Sequence, residues 1–183
     1  CSSDLDMEFE QRNDVTAEEY LEMIRLKTAV LLAASLKIGA RLGGASVEDA
    51  DRLYDFGMHI GVAFQLKDDL LDVYGNAKVF GKNIGGDILC NKKTYMLIKA
   101  LEHANADQHN QLNSWINAET FQPAEKIAAV TELYDRIGVK AVCENKILEY
   151  SNRAMESLAA VSIAEEKKEE LKKIIENLIH REV

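Results

Sequence analysis

Apolar residues recur at three- and four-residue spacing along most of the chain, which predicts helices, and breaks in that rhythm mark the joints between them. Thr16 with Glu19 forms a capping box, and the periodicity carries the first helix to Leu42, where Gly43-Gly44 closes it. Ser46 with Asp49 opens a second long helix that should run to about Tyr74. Gly75 to Lys93, GNAKVFGKNIGGDILCNKK, reads as a long structured loop with enough apolar residues (Val79, Phe80, Ile84, Ile88) to pack. A shorter helix is expected from about Thr94 to Ala106, then a polar segment to Asn117. Trp115 and Phe121 should pack the 107–121 stretch onto the rest. Pro123 fits the first turn of a helix ending near Gly138, and Val139 to Val161 continues as another. Ser162 with Glu165 should cap a last helix reaching His180, with Leu171, Ile174, Ile175 and Leu178 as its apolar stripe. The expectation is one all-α domain over residues 1–183.

Composition agrees with that outline and narrows the function. Of 183 residues, 47% are hydrophobic and only one is proline, which suits a helical core. A net charge of -9 leaves no basic stripe to neutralise phosphates, so nucleic acid is not the expected partner. Cys1, Cys90 and Cys143 lie far apart and read as free thiols in a reducing compartment. The longest apolar run, Thr28 to Leu36, is too short to span a bilayer, and no signal peptide is visible. A cytoplasmic, non-membrane protein is expected.

One stretch of the second helix does not fit a plain core. GVAFQLKDDLLDVYG (61–75) carries Asp68, Asp69 and Asp72 within an apolar run. At about 100° per residue, Gln65, Asp68, Asp69 and Asp72 share roughly a 100° arc of one face. Clustered carboxylates repel, and burying them without compensation is costly, so a positive partner is expected. Three carboxylates at i, i+1 and i+4 suit a hard cation such as Mg²⁺, which binds one or two of them and keeps several waters. Taken alone, an acidic stripe of this kind is as often a solvated helix surface. The following loop supplies Lys78, Lys82, Lys92 and Lys93, with Asp87 among glycines. Ammonium groups beside a metal-binding stripe describe a polyphosphate site. Lys27, in LKTAVLLAASL, lies on the most apolar face of the first helix, where an ammonium needs an anion.

These motifs resemble a known family. G-x-x-F-Q-x-x-D-D-x-x-D (Gly61 to Asp72), then G-K-x-x-G-x-D-I (Gly81 to Ile88) and K-K-T (Lys92 to Thr94), are similar to the second aspartate-rich region of trans-type isoprenyl diphosphate synthases. M-I-x-x-K-T-A-x-L (Met23 to Leu31) resembles the same family's Lys-Thr motif. The resemblance runs from about Asp4 onward. It implies an isoprenoid-synthase-type helical bundle that condenses an allylic diphosphate with isopentenyl diphosphate to a short-chain farnesyl or geranylgeranyl product, with Mg²⁺ as cofactor. Carried over, Asp68 and Asp72 would hold one Mg²⁺, with Asp69 supporting its hydration shell. Lys27, Lys82 and Lys92 would bind the allylic diphosphate. Thr28 and Gln65 would stabilise the carbocation through their oxygen dipoles.

The pattern is incomplete. The family carries a first aspartate-rich motif with downstream arginines, and nothing here matches it; Asp51 and Asp55, flanking RLY, read as solvated helix-start residues. With the opening CSSDLD, which lacks an initiator Met, this suggests the C-terminal part of a longer synthase. Such a part should be inactive alone, expose apolar faces of its first two helices, and self-associate or form a homodimer. Asn91 stands where the family commonly has glycine before the lysine, and Asn tolerates the left-handed conformation needed there. The competing readings are a non-catalytic diphosphate-binding or regulatory family member, and a class I terpene cyclase. His59 reads as a packed helix residue.

Overall fold

A computed structural model describes residues 12, 14–75 and 84–180. Among these residues every regular element is helical. The elements are α1 (Ala17–Ile24), a π-helical turn (Arg25–Ala29), α2 (Val30–Leu42), α3 (Val47–Tyr74) and α4 (Gly86–Leu89). They continue with α5 (Tyr95–His103), α6 (Ala106–Ile116), α7 (Pro123–Ile137), α8 (Val139–Ala159), a 3-10 turn (Glu165–Lys167) and α9 (Glu169–His180). Among the described residues no helix is long and apolar enough to cross a membrane.

The 28-residue α3 is the axis, packed chiefly between α2 and α8. Its glycines explain how α2 comes so close. A Cβ on Gly57 would fall 2.6 Å from Ala33 Cα, and one on Gly61 would fall 2.6 Å from Ala29 Cα. Two glycines one turn apart thus meet two alanines one turn apart, and the backbones touch. The main core gathers Tyr20, Met23, Leu66, Leu70, Met96, Leu112, Leu133 and Cys143 from six helices. A second core, with Phe56, Ile60, Ala154, Leu158, Ile175 and Leu178, forms where α9 closes over α3 and α8.

Three expectations are corrected. The first helix is not continuous, because the π turn widens it at Arg25–Ala29 and Val30 N–H reaches back to Arg25 O. Regular spacing from Met23 and Ile24 would carry the buried stripe through Lys27; the extra residue moves it to Ala29 and Ala33 and leaves Lys27 exposed. The polar stretch after Ala104 is a helix, α6, opened by a reciprocal cap in which Asn105 Oδ1 accepts from Gln108 N–H (2.9 Å) and Gln108 Oε1 accepts from Asn105 N–H (3.0 Å). Only Leu112 of α6 is buried, so its apolar period is faint. Ser162 does not cap α9. Its N–H donates to Asp49 Oδ1 (2.9 Å) and its hydroxyl accepts from Arg52 (3.2 Å), tying the α8–α9 link to the start of α3.

Other expectations hold. The Thr16–Glu19 box forms, and Arg12 braces it through two hydrogen bonds to the Glu19 carboxylate (2.9 and 3.2 Å). Trp115 packs against the main core. The outer face of α2 is apolar and open, with Leu31 74%, Ile38 60% and Leu42 85% exposed.

Candidate functional site

The acidic face of α3 divides in two. Asp68 and Asp72, one turn apart, stay partly exposed, whereas Asp69 turns into the core and keeps 5% of its surface. Asp69 Oδ2 accepts a hydrogen bond from the Tyr20 hydroxyl of α1, and Oδ1 faces Lys92 Nζ at 3.3 Å. Lys92 Nζ also donates to Asp87 Oδ2 at 3.1 Å, so one ammonium bridges two carboxylates from different elements. Burial pushes the Asp69 carboxyl up to about 6, although Lys92 and the tyrosine hydroxyl pull the other way. Burial would lower the Lys92 ammonium, but Asp69 and Asp87 outweigh it and hold Lys92 well above the ordinary lysine value. The Tyr20 phenol is raised by burial and by the adjacent Asp69 charge, so it stays a donor.

Asp72 anchors the following loop. Its Oδ2 accepts from Asp87 N–H (2.9 Å), and its backbone carbonyl accepts from Gly85 N–H (2.6 Å). Gly85 at φ 83° provides the left-handed bend that starts α4. Desolvation raises the Asp72 carboxyl. Asn91 adopts the expected left-handed conformation, φ 52°.

One turn before Asp68 and Asp69 on the same face of α3, Gln65 Oε1 accepts a hydrogen bond from Thr28 of the π turn at 2.8 Å. Thr28 is the neighbour of Ala29, which touches Gly61, so the Gly–Ala contact sets this pairing. Lys27 sits exposed on the same turn. Lys82 and Lys78 lie outside the described residues. Lys93 is half-buried and lowered by desolvation.

As a cation site, the donor set is two carboxylates. Among the described residues no group of three or more His, Cys, Asp or Glu side chains converges as a closed metal cage. That fits Mg²⁺, which commonly takes one or two protein carboxylates and completes its shell with water and substrate oxygens. Asp69 offers less than its place in the sequence suggests, because both its oxygens are engaged. Lys92 retains one N–H for an anion after serving Asp69 and Asp87. Sequence reasoning missed Tyr20. The signal for Tyr20 was available: a tyrosine on the buried face of a capped helix needs a hydrogen-bond partner for its hydroxyl.

Comparison with known proteins bears on the family and the fold. A sequence profile of the family described as Polyprenyl synthetase matches residues 3–134. A short chain isoprenyl diphosphate synthase of Methanothermobacter thermautotrophicus is 38% identical over 178 residues, covering 97% of this chain and 54% of that protein. A geranylgeranyl diphosphate synthase of Methanosarcina mazei is 51% identical over 98 residues, covering 54% of this chain and 30% of that one. A crystal structure of a geranylgeranyl pyrophosphate synthase superposes with TM-score 0.92 at 35% identity, over 100% of this chain and 57% of its own. Another, from Corynebacterium glutamicum and complexed with isoprenyl diphosphate and magnesium, gives 0.88 at 30% identity, over 98% and 51%. The chain spans about half the length of these full-coverage relatives.

Proposed function

The chain belongs to the polyprenyl synthetase family, and on that footing we propose that it carries the second aspartate-rich half of a trans-type prenyltransferase. The reaction is condensation of an allylic diphosphate with isopentenyl diphosphate to a short-chain farnesyl or geranylgeranyl diphosphate. The carrying observation is the division of the α3 acidic face: Asp68 and Asp72 open to a cation, Asp69 committed to holding Lys92 beside them.

In this reading Asp68 and Asp72 hold one Mg²⁺. When bound, the ion supplies positive charge where the departing diphosphate gathers negative charge. Lys92 directs its remaining N–H to a diphosphate oxygen, and Lys27 and Lys82 add two further ammonium groups. The paired oxygens of Thr28 and Gln65 face the allylic carbon as fixed dipoles, stabilising positive charge as the C–O bond breaks. Tyr20 keeps Asp69 in place rather than touching substrate.

The test uses the protein that also contains the first aspartate-rich motif, assayed for elongation at saturating Mg²⁺. Asp68→Ala should lower turnover on the order of 10³-fold, since a cation ligand is lost where leaving-group charge develops. A variant within a few-fold of the parent would mean that Asp68 holds no catalytic ion.

A further inference from the structure

Lys126, in the first turn of α7, is fully buried. Its recorded partners are a side-chain amide and an aromatic ring: Nζ donates to Asn91 Oδ1 at 2.8 Å and stands 4.2 Å over the centroid of Phe121. No carboxylate is among them. Burial lowers the pKa of this ammonium, and the first turn of a helix is the end where the dipole repels a cation. A leucine or methionine would fill the space without either cost. The adjoining cavity, lined by Asn91, Lys92 and Lys126, has room for about 20 Å³, enough for one water and not for a substrate. Lys126 is therefore not placed to bind a ligand itself.

The group it holds is the informative one. Asn91 is the one non-glycine residue with positive φ among the described residues. Its Nδ2 donates to Ile116 O (2.9 Å), the last carbonyl of α6, while its Oδ1 accepts from Lys126. The amide is thus gripped from both ends, by α6 and by α7, at the backbone position that turns the chain into Lys92. The next residue's N–H closes on Asp87 O (3.0 Å), and its side chain bridges Asp69 and Asp87.

We propose that Lys126 is a positioning residue: through Asn91 it locks the left-handed turn that delivers the Lys92 ammonium between Asp69 and Asp87. Its consequence for ligand binding rests on the diphosphate-site reading above. A glycine at position 91 would adopt this conformation unaided; with Asn there, the chain uses a buried lysine to hold the turn.

Hydrogen exchange by NMR tests the placement without any ligand, and calorimetry with inorganic pyrophosphate plus Mg²⁺ reads its effect on binding. Lys126→Met should cut protection of the Lys92 amide by about tenfold or more while amides in the middle of α3 and α8 keep theirs. It should also weaken pyrophosphate binding by roughly fivefold or more. Adding Asn91→Gly to Lys126→Met should bring both back to within about threefold of the parent, because glycine needs no grip on its side chain. Unchanged protection at Lys92, uniform loss across α3 and α8, or no rescue by glycine would each overturn the proposal. If the parent chain binds no pyrophosphate while exchange behaves as described, the placement of Lys92 stands and the diphosphate reading falls.

Discussion

Tyr20 and Asp69 stand 49 positions apart and share a buried hydrogen bond, the phenol donating to the carboxylate. It joins the first helix to the acidic face of α3 and fixes which aspartate turns inward. Tyr20→Phe keeps the packing and removes the donor, leaving a buried carboxylate oxygen unserved. The expected loss is about 1–3 kcal/mol. For a chain of this size each kcal/mol lowers Tm by roughly 2–4 °C, so thermal unfolding resolves it. An unchanged Tm would mean that another group serves this oxygen.

Gly61 and Gly39 should respond in opposite directions to alanine. At Gly61 a methyl would sit 2.6 Å from Ala29 Cα, a backbone atom that cannot rotate away; overpacking of this kind costs about 1–3 kcal/mol and outweighs the helix propensity gained. Gly39 is exposed on α2 with nothing within 4 Å, so Gly39→Ala should stabilise by up to about 1 kcal/mol. Urea unfolding of the two variants gives the comparison. Gly61→Ala should also separate Thr28 from Gln65 and weaken the site beyond its effect on stability.

Acid should loosen the C-terminal end. Glu165 receives the buried Lys168 ammonium (2.8 Å) and Lys172 (2.8 Å), which hold its carboxyl down at about 2. Because the folded value lies below the unfolded one, this contribution is complete above about pH 4.5 and disappears as pH falls toward 2. Glu165→Gln should flatten that part of the stability curve and leave the neutral-to-alkaline limb unaltered. Tm measured across pH 2 to 7 checks it. A parent-like slope in the variant would assign the acid loss to other carboxylates.

The 183-residue chain alone should bind pyrophosphate weakly and only with Mg²⁺, and should form no prenyl product. Holding a diphosphate needs one cation and a few ammonium groups, whereas ionising an allylic diphosphate needs charge on both sides of the leaving group. Asp68→Ala or Asp72→Ala should abolish the Mg²⁺ dependence. Asp69→Asn should weaken binding through Lys92 and keep that dependence. The same preparation should self-associate through Leu31, Ile38 and Leu42, and changing all three to Glu should return it to a monomer by light scattering. Steady product formation by the chain would contradict the need for a second acidic motif.

The helices and their joints were mostly legible because capping boxes, paired glycines and apolar spacing are local signals. The acidic face was legible as well, since i and i+4 share a side in any helix. Helix arithmetic could not show that Asp69 turns inward, because that depends on Tyr20 and Lys92 arriving from elsewhere. Lys27 was misplaced for a related reason. Its neighbours are apolar, and only the widened turn reveals that the buried stripe skips it. α6 was missed because its single buried residue, Leu112, leaves no period to read. Lys126 gave no signal, since a lysine in the first turn of a helix ordinarily faces water.

The widened turn at Arg25–Ala29 stores one residue more than an ordinary helical turn would hold there. Removing one residue there would restore an ordinary helix with the upstream part unmoved, because Tyr20, Ile24, Ala29 and Ala33 already share the buried side and would then fall at regular four-residue spacing. The Tyr20–Asp69 hydrogen bond would survive, and Lys27 would stay on the outer side. A single deletion would be taken up by closing the turn, whereas a single insertion would need a second wide turn to keep the two ends of the segment in step.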